Sequence, residues 1–392
     1  MAFDDQDIFV KPGGANASDL LFQSMPRLTF HCVDWPLLTT RIAQWDDLAD
    51  HASEPNPFFE SWYLLPALEC LPDTNTVKIL LLEQDGQLMG LLPIARSPRY
   101  YRWPIPNLAS WLHANCFCGT PLVRAGMEVP FWREALRWAD RNAHFSLFLH
   151  LRGMVIDGPL HTALLSVCAA EGRKVQQVHF EARAMLSSQL SSQDYLEASV
   201  STKKRKEWRR QAKRLSEMGT LRAERTRNAD NILQWSDAFL ELERKGWKGR
   251  QGSALASQEH TARMFRAVMS GAAQRGRLER LSLMLDDVPV AMLASFHCPP
   301  GSFSFKTAFD ERFSQFSPGV LLQQENLAVL DDPQIAWTDS CASADHPMID
   351  HIWRERRGIA RLSVAIGGRL RRILFQRIVG FETSRTPPES RA

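Results

Sequence analysis

A strand followed by a helix start suited to binding an anion stands in the C-terminal half of the sequence. Ser317 is a favoured N-cap residue, and Pro318 suits the first helical position because its missing N–H would be unpaired there. Gly319 permits close approach of a ligand to the backbone. The amides of Gly319, Val320 and Leu321 are then free at the positive end of the helix dipole, which predicts a phosphate site. A capped helix without a ligand is the alternative.

The elements around this helix start are predicted from apolar patterns. Phe303, Phe305 and Thr307 alternate with Ser304, Lys306 and Ala308, which indicates a strand. Two apolar runs before it, at 278–285 and 289–298, flank a tight turn and predict a hairpin. Beyond it the pattern predicts strands at 334–338 and 361–366, with a helix near 348–357.

The first half of the chain repeats this order of helix, helix, hairpin, strand, helix, strand, helix, strand, with its hairpin at 77–82 and 88–95. Such a repeat favours a duplicated α/β (α+β) fold, in which each domain is a mixed twisted sheet flanked by helices. The boundaries that follow are a flexible lead at 1–25, an N-terminal domain at 26–186, a C-terminal domain at 195–367, and a basic amphipathic helix with a disordered tail at 368–392.

Composition is that of an ordinary soluble protein, with 392 residues, 44% hydrophobic and 23% charged residues and a net charge of +3. No apolar stretch is as long as a membrane span, and the acidic N-terminus lacks a signal core, so we expect a cytoplasmic protein. The seven cysteines are scattered, and Cys116 and Cys118 are too close for the usual zinc spacing. Reduced thiols and no metal are therefore expected.

Three motifs follow one another in the second half of the chain. They are Glu243 followed by Gly246-Trp247-Lys248-Gly249, then Phe305-Lys306-Thr307-Ala308-Phe309-Asp310, then Ser317-Pro318-Gly319-Val320-Leu321-Leu322. In this order they resemble the CelD-like acetyltransferases of the GNAT superfamily. Asp339, the turn Asp345-His346-Pro347-Met348 and Trp353 are similar to that family's closing segment. The resemblance covers residues 25–365 and is strongest after 195.

This resemblance implies a tandem GNAT fold related to the Fem-type aminoacyl transferases of cell-wall synthesis. It also implies an acyl-CoA donor, acetyl-CoA or longer, whose pyrophosphate lies at the helix start formed by Ser317, Pro318, Gly319, Val320 and Leu321. The usual GNAT loop, Arg/Gln-x-x-Gly-x-Gly/Ala, is absent here, so its individual phosphate contacts do not carry over.

Acyl transfer to an amine needs a base, donors for the oxyanion and a proton for the leaving thiolate. His346 and Asp339 are predicted to move protons, and His346 alone of these candidates ordinarily titrates near neutrality. Lys306 or Lys248 would orient the acyl carbonyl or the acceptor, and Asp310 lies at the exit of the central strand. Each also has a structural interpretation: a solvent-facing strand lysine, a capping aspartate or a turn histidine.

The motif around Trp247 predicts an acceptor pocket. Glu243, Trp247 and Lys248 are assigned to substrate binding, because a tryptophan and a lysine between two glycines are unusual on a surface helix.

Two basic clusters have alternative interpretations. Residues 203–214 carry eight cations, which suits a solvated helix face, a CoA phosphate contact, an anionic acceptor or RNA. Trp208 is the sole aromatic residue among them, so nucleic acid is disfavoured. The second cluster combines arginines with an apolar stripe of Leu370, Ile373, Leu374, Ile378 and Phe381, typical of a docked C-terminal helix or of one lying on an anionic membrane.

The sequence therefore predicts an acyl-CoA-dependent N-acyltransferase of lipid or polysaccharide biosynthesis, cytoplasmic and peripheral to the inner membrane face. Its acceptor would be a small-molecule amine or a lipid amine of the sphingoid type, since bacterial ceramide synthases are similar to this superfamily. Polysaccharide or amino-acid acceptors are equally permitted. The alternatives are a Fem-like transferase that uses aminoacyl-tRNA and a catalytically silent binding protein with the GNAT fold.

Overall fold

The computed structural model of the chain describes residues 27–344, 346 and 348–385, so the predicted lead at 1–25 and the last seven residues of the predicted tail, 386–392, lie outside the described residues. The α-helices are α1 (Ile42–Asp50), α2 (Ser61–Cys70), α3 (Glu128–Asn142), α4 (Pro159–Ala170), α5 (Ser192–Ser199), α6 (Thr202–Ser216), α7 (Ile232–Lys245), α8 (Trp247–Arg250), α9 (Glu259–Gln274), α10 (Pro318–Asn326) and α11 (Arg369–Arg385). The strands are β1 (Leu28–Asp34), β2 (Lys78–Gln84), β3 (Gln87–Ser97), β4 (Asn107–Ser110), β5 (Leu122–Val123), β6 (Phe148–Val155), β7 (Val175–Leu186), β8 (Leu221–Thr226), β9 (Leu278–Leu285), β10 (Val288–Cys298), β11 (Gly301–Phe309), β12 (Trp337–Asp339) and β13 (Glu355–Ala365).

Thirteen strands of the described residues form one mixed sheet, in the order β1-β2-β3-β4-β6-β13-β7-β12-β11-β10-β9-β8, with β5 paired to β3. The order is symmetric about its centre: β1 to β4 and β6 on one side correspond to β8 to β12 on the other. Each half contributes one parallel pair, β4 with β6 and β11 with β12. The predicted fold class, a mixed α/β arrangement of two similar halves, is confirmed.

The last strand of each half crosses to the other half. β13 pairs with β6, β7 pairs with β12, and β13 and β7 pair with each other. Hydrogen bonding is therefore continuous across the sheet, although the chain passes from one half to the other at 187–191. The predicted boundaries at 186 and 195 stay a prediction.

An aromatic cluster joins the two halves. Phe58 and Tyr63 come from the first half, and Phe296, Phe303 and Phe305 from the second; all five are buried. Ring centroids are 5.9 Å apart for Phe58 and Phe303 and 5.8 Å apart for Tyr63 and Phe305. Because these rings sit beneath the start of β11, the site on that strand rests on a packed core.

Close packing of α2 against α9 depends on a glycine. A Cβ on Gly271 of α9 would lie 2.9 Å from Cβ of Trp62 on α2, too close for two carbon atoms. The two halves thus meet through helices as well as through the sheet.

The hairpins at β2–β3 and β9–β10 follow the prediction, because each is fixed locally. Asp85 and Gly86 have φ values of 52° and 80°, as a two-residue hairpin turn requires, and Asp286 has 52°. The helix expected near 348–357 is wrong: turns occupy 348–352, and β13 begins at Glu355. The apolar spacing that suggested a helix is satisfied within the turn, where Ile349, Ile352 and Trp353 are buried. The predicted strands at 334–338 and 361–366 correspond to parts of β12 and β13.

α11 docks on the central strands through Phe375 and Val379, two buried residues one turn apart that the predicted apolar stripe leaves out. Phe375 packs on Phe148 of β6, with ring centroids 5.6 Å apart. Three residues of the predicted stripe remain exposed instead: Leu370 at 81%, Ile373 at 51% and Leu374 at 50%. The helix continues to Arg385. None of the described helices is both long enough and apolar enough to cross a membrane.

Candidate active site

The predicted site residues gather where β11 and β12 diverge. The two strands pair in parallel only from Gly301 to Phe303, opposite Trp337 to Asp339. β12 then ends, whereas β11 continues to Phe309. The side of β11 facing away from β10 therefore has no neighbouring strand beyond Phe303, and the strand's last six residues border a cleft.

Asp339 lies at the base of this cleft as the centre of a buried ion cluster. Its Oδ2 accepts hydrogen bonds from Arg183 at 2.6 Å and Arg357 at 3.2 Å, and its Oδ1 accepts one from the Cys341 amide at 2.9 Å. Burial disfavours the charged form of Arg183, but the charge of Asp339 outweighs burial and raises the pKa of Arg183. With both oxygens occupied, Asp339 is placed to orient β7, β12 and β13 relative to one another.

Lys306 points from β11 into the cleft. Its Nζ lies 5.1 Å from the ring centroid of Phe117 and 5.8 Å from that of Phe305, and none of the described residues forms an ion pair with it. Burial, together with the nearby charge of Lys248, lowers the pKa of Lys306 to about 8. Because this pKa is close to neutral pH, Lys306 can gain or lose its charge near the working pH, which suits a group that acts on reacting atoms.

Glu243 and Lys248 form a buried pair beside the end of β11. Lys248 Nζ donates to Glu243 Oε1 at 2.8 Å and to the Thr307 carbonyl at 3.3 Å. The second carboxylate oxygen of Glu243 accepts the Leu255 amide at 2.8 Å. Trp247, by contrast, is 46% exposed. The structure thus brings all three predicted acceptor-pocket residues together, with two of them bonded to each other and to the backbone.

His346 lies near Lys248 and Asp350. Burial lowers the pKa of His346 from its usual 6.5; Asp350 opposes the shift and Lys248 adds to it. Its Nδ1 is buried and has no hydrogen-bond partner among the described residues. Asp345 and Pro347 of the same motif lie outside the described residues. His346 is therefore neutral at pH 7, with an unused ring nitrogen.

Asp310 is engaged locally at the exit of β11. Its carboxylate caps the 3-10 helix Glu311–Phe316 and accepts hydrogen bonds from the Arg312 amide at 3.0 Å and the Arg312 guanidinium at 2.6 Å. These hydrogen bonds lower its pKa. Asp310 thus shapes the loop that leads to α10, and its predicted part in catalysis stays a prediction.

The start of α10 corrects the prediction about its cap. Ser317 has a left-handed φ of 51°, and its side chain accepts no hydrogen bond from the helix. Its carbonyl instead accepts the amides of Val320 at 2.9 Å and Leu321 at 3.1 Å. N-cap side chains bond the helix from extended backbone, which Ser317 lacks. Of the three amides expected to be free, only that of Gly319 has no partner among the described residues.

Gly319 serves packing at this point. A Cβ there would lie 2.7 Å from Sδ of Met348 and 3.3 Å from the ring of Phe309. The space that we expected to admit a ligand is therefore filled by Met348. Pro318 does occupy the first helical position, as predicted.

The basic helix α6 lies beside the segment that leads into α10. Gln211 donates to the Gln315 carbonyl at 3.5 Å, and the guanidinium of Arg214 lies 5.9 Å from the ring centroid of Phe316. Trp208 is buried in the core beneath α6. The C-terminal part of α6 therefore places Arg214 next to the loop that leads to the positive end of α10.

Several residues of the site were not predicted from the sequence. Arg183 and Arg357 hold Asp339, and Phe117 and His113 face Lys306 from the loop after β4. His113 has a pKa lowered to about 3 by burial and by the charge of Lys306. An arginine among apolar strand residues is the signal that could have identified Arg183.

Comparison with known proteins agrees with this geometry. Residues 202–346 match the family described as acetyltransferase (GNAT) domain. The chain thus carries a GNAT domain in its second half, which includes β11, α10 and His346, and it is an acyltransferase. No protein of curated function matches the sequence significantly.

Solved structures share the fold over most of the chain. FemX has a TM-score of 0.55 at 10% identity, covering 86% of this chain and 98% of its own. A conserved protein of unknown function from Bacteroides thetaiotaomicron has 0.52 at 12% identity, covering 83% and 97%. A C-terminal DUF2156 domain from Agrobacterium fabrum has 0.50 at 10% identity, covering 83% and 91%. At such identities the likeness concerns the fold alone.

Proposed function

We propose that this acyltransferase moves an acyl group from coenzyme A to an amine, at the cleft where β11 and β12 diverge. One observation carries the proposal: His346 is neutral at pH 7, its Nδ1 has no hydrogen-bond partner among the described residues, and it lies near Lys248, which bonds the end of β11. A neutral imidazole can take the proton that an attacking ammonium must lose.

The positive charge beside α10 supports an anionic donor. Six cations of α6 form no ion pair with a described residue: Lys203, Lys204, Lys206, Arg209, Lys213 and Arg214. Arg214 lies against the loop that leads into α10. Three phosphate groups of coenzyme A would be attracted by this charge and by the dipole of α10. The finer assignment, to the CelD-like group with an acetyl or longer acyl donor, is part of this proposal.

The chemistry then divides among four residues. His346 accepts the proton of the amine, and Lys306, with a pKa of about 8, donates to the developing oxyanion of the acyl carbonyl. Burial, and after it the charge of Lys248, which Glu243 fixes, keep the pKa of Lys306 low. Protonation of the leaving thiolate uses the proton that His346 has gained.

The aminoacyl-tRNA alternative is favoured by the same exposed cations of α6, which suit a nucleic acid backbone as well as a CoA phosphate. A thermal-shift experiment with acetyl-CoA, a long-chain acyl-CoA and tRNA separates the two, because a ligand stabilises the state that binds it. We expect an acyl-CoA to raise Tm and tRNA to leave it unchanged. A rise with tRNA alone would indicate a Fem-like transferase, and no rise with any ligand would favour a silent binding protein.

A lipid amine is the acceptor class that the C-terminal helix favours, and this makes a prediction. Leu370, Ile373 and Leu374 are exposed on a helix rich in arginine, so intact protein should co-sediment with anionic vesicles at low salt. Replacing all three by Gln should abolish this binding. Phe375 and Val379, which dock the helix, stay unchanged in that variant.

A matched control replaces three other exposed leucines by Gln: Leu37, Leu190 and Leu233. It should sediment like the native protein. If native protein remains in the supernatant at low salt, or if the α11 variant sediments equally well, the membrane-facing role and the lipid acceptor lose their support.

A further inference from the structure

The first half contains a counterpart of the cleft, and arginines line it. β4 and β6 pair in parallel only at Leu108–Ala109 opposite Leu149–His150; β4 then ends at Ser110, whereas β6 runs on to Val155. Two adjoining cavities of about 160 and 240 Å³ open beside this divergence. Arg152 of β6 and Arg361 of β13 line both cavities.

These two arginines lack the partners that other arginines of the protein have. Arg173 pairs with Asp140 at 2.5 Å, for example. No carboxylate of the described residues lies within ion-pair distance of either Arg152 or Arg361. Among the described residues, the Arg361 guanidinium donates only to the Tyr101 hydroxyl, at 3.3 Å. Two neighbouring guanidinium groups repel each other unless an anion lies between them.

The acidic and imidazole groups of the cavities leave this positive charge in place. Glu181 lines the first of the two cavities, and its Oε2 lies 4.0 Å from Nε2 of His179. It forms no ion pair with an arginine of the described residues. His150 is bonded to Ser363 at 3.0 Å. Arg99 stands at the rim of the second cavity and adds a further cation.

His113, which lines the first cavity, offers a neutral hydrogen-bond donor. His113 Nδ1 accepts the Asn115 amide at 3.3 Å, so the neutral ring carries its proton on Nε2. That nitrogen is buried and has no partner among the described residues. An N–H donor beside two cations favours a ligand that only accepts hydrogen bonds.

We propose that the paired cavities around Arg152 and Arg361 bind the oxyanion group, phosphate or carboxylate, of a ligand. Guanidinium forks bind both kinds of oxyanion with two hydrogen bonds each. The cavity adjoins the catalytic cleft, because Phe117 lines it and also lies 5.1 Å from Lys306 Nζ. The ligand is then the amine acceptor held by its anionic end, a step that rests on the proposed function.

Calorimetric titration of the full chain without any acyl-CoA tests the site itself. The probes are inorganic pyrophosphate and citrate, which represent the two sources of the oxyanion. We expect at least one to bind the native protein, and the Arg152→Ala/Arg361→Ala variant to bind it at least tenfold more weakly. Arg133→Ala, which removes an exposed arginine of α3, should bind as native protein does. The probe that shows this dependence identifies the oxyanion.

The site is overturned if neither probe binds native protein at millimolar concentration, or if the double variant, shown to be folded by circular dichroism, binds as tightly as native protein. A protein that binds pyrophosphate through these arginines but binds no acyl-CoA would keep the oxyanion site and refute the proposed acyl transfer. The two conclusions therefore fail separately.

Discussion

His346→Ala should lower kcat/KM for acyl transfer by about 10²–10⁴-fold, the usual effect of losing a general base. The proton of the attacking amine then has no acceptor with a pKa near the working pH. The variant should bind acyl-CoA normally, because it keeps every cation of α6 and every residue of α10. Steady-state release of free CoA thiol, with an amine acceptor present, measures the effect.

The pH dependence of the same reaction identifies the group. His346 must be neutral to act, and its pKa lies below 6.5, so kcat/KM should fall on the acid side below that value. Lys306 must be protonated to donate, so kcat/KM should also fall above its pKa of about 8. His351→Ala, which removes an exposed histidine five residues away, should leave both limbs and the rate unchanged. An unchanged acid limb in His346→Ala would assign the base elsewhere.

Asp339→Asn should lower the free energy of unfolding by about 3–5 kcal/mol, because it leaves two buried guanidinium groups, those of Arg183 and Arg357, without their counterion. Asparagine keeps the shape and the hydrogen bond from the Cys341 amide, so the loss of charge is isolated. Urea denaturation followed by circular dichroism measures the difference.

Asp237→Asn provides the comparison. Its ion pair with Arg266, 2.7 Å long, is exposed on the surface, and such pairs contribute about 0–1 kcal/mol. If Asp339→Asn were as stable as Asp237→Asn but inactive, Asp339 would act directly in proton transfer, as the sequence had predicted, rather than as the centre of the ion cluster.

Local features of the fold were predictable from the sequence because their causes are local. Asp85 and Gly86 adopt positive φ within two residues, which fixes β2 against β3, and Pro318 begins α10. The alternation of Phe303 and Phe305 with Ser302 and Ser304 indicates a strand, and both faces of β11 are buried over these residues. The repeated order of elements in the two halves was predicted by combining such local signals along the chain.

The exchange of β7 and β13 was not predictable, since it depends on contacts between segments at 175–186 and 355–365. No pattern within either segment indicates its neighbour, and the apolar residues from 349 to 353 favoured a helix that gives way to these strand pairings. The same long range separates Arg183 from Asp339. The prediction that Ser317 caps α10 was wrong for a different reason. Ser317 has a left-handed backbone conformation, and its side chain accepts no hydrogen bond from the helix.

Calorimetric titration with acetyl-CoA tests the central claim most directly, in native protein and in two charge-reversed variants of α6. Lys213→Glu/Arg214→Glu reverses the cations beside the start of α10, and Lys203→Glu/Lys204→Glu reverses two at the far end. We expect one acetyl-CoA per chain in native protein, affinity at least tenfold weaker in the Lys213/Arg214 variant, in line with about 1.4 kcal/mol per tenfold change, and a much smaller change in the other. Absence of binding to native protein, or equal affinity in all three, would contradict an acyl-CoA donor at α10.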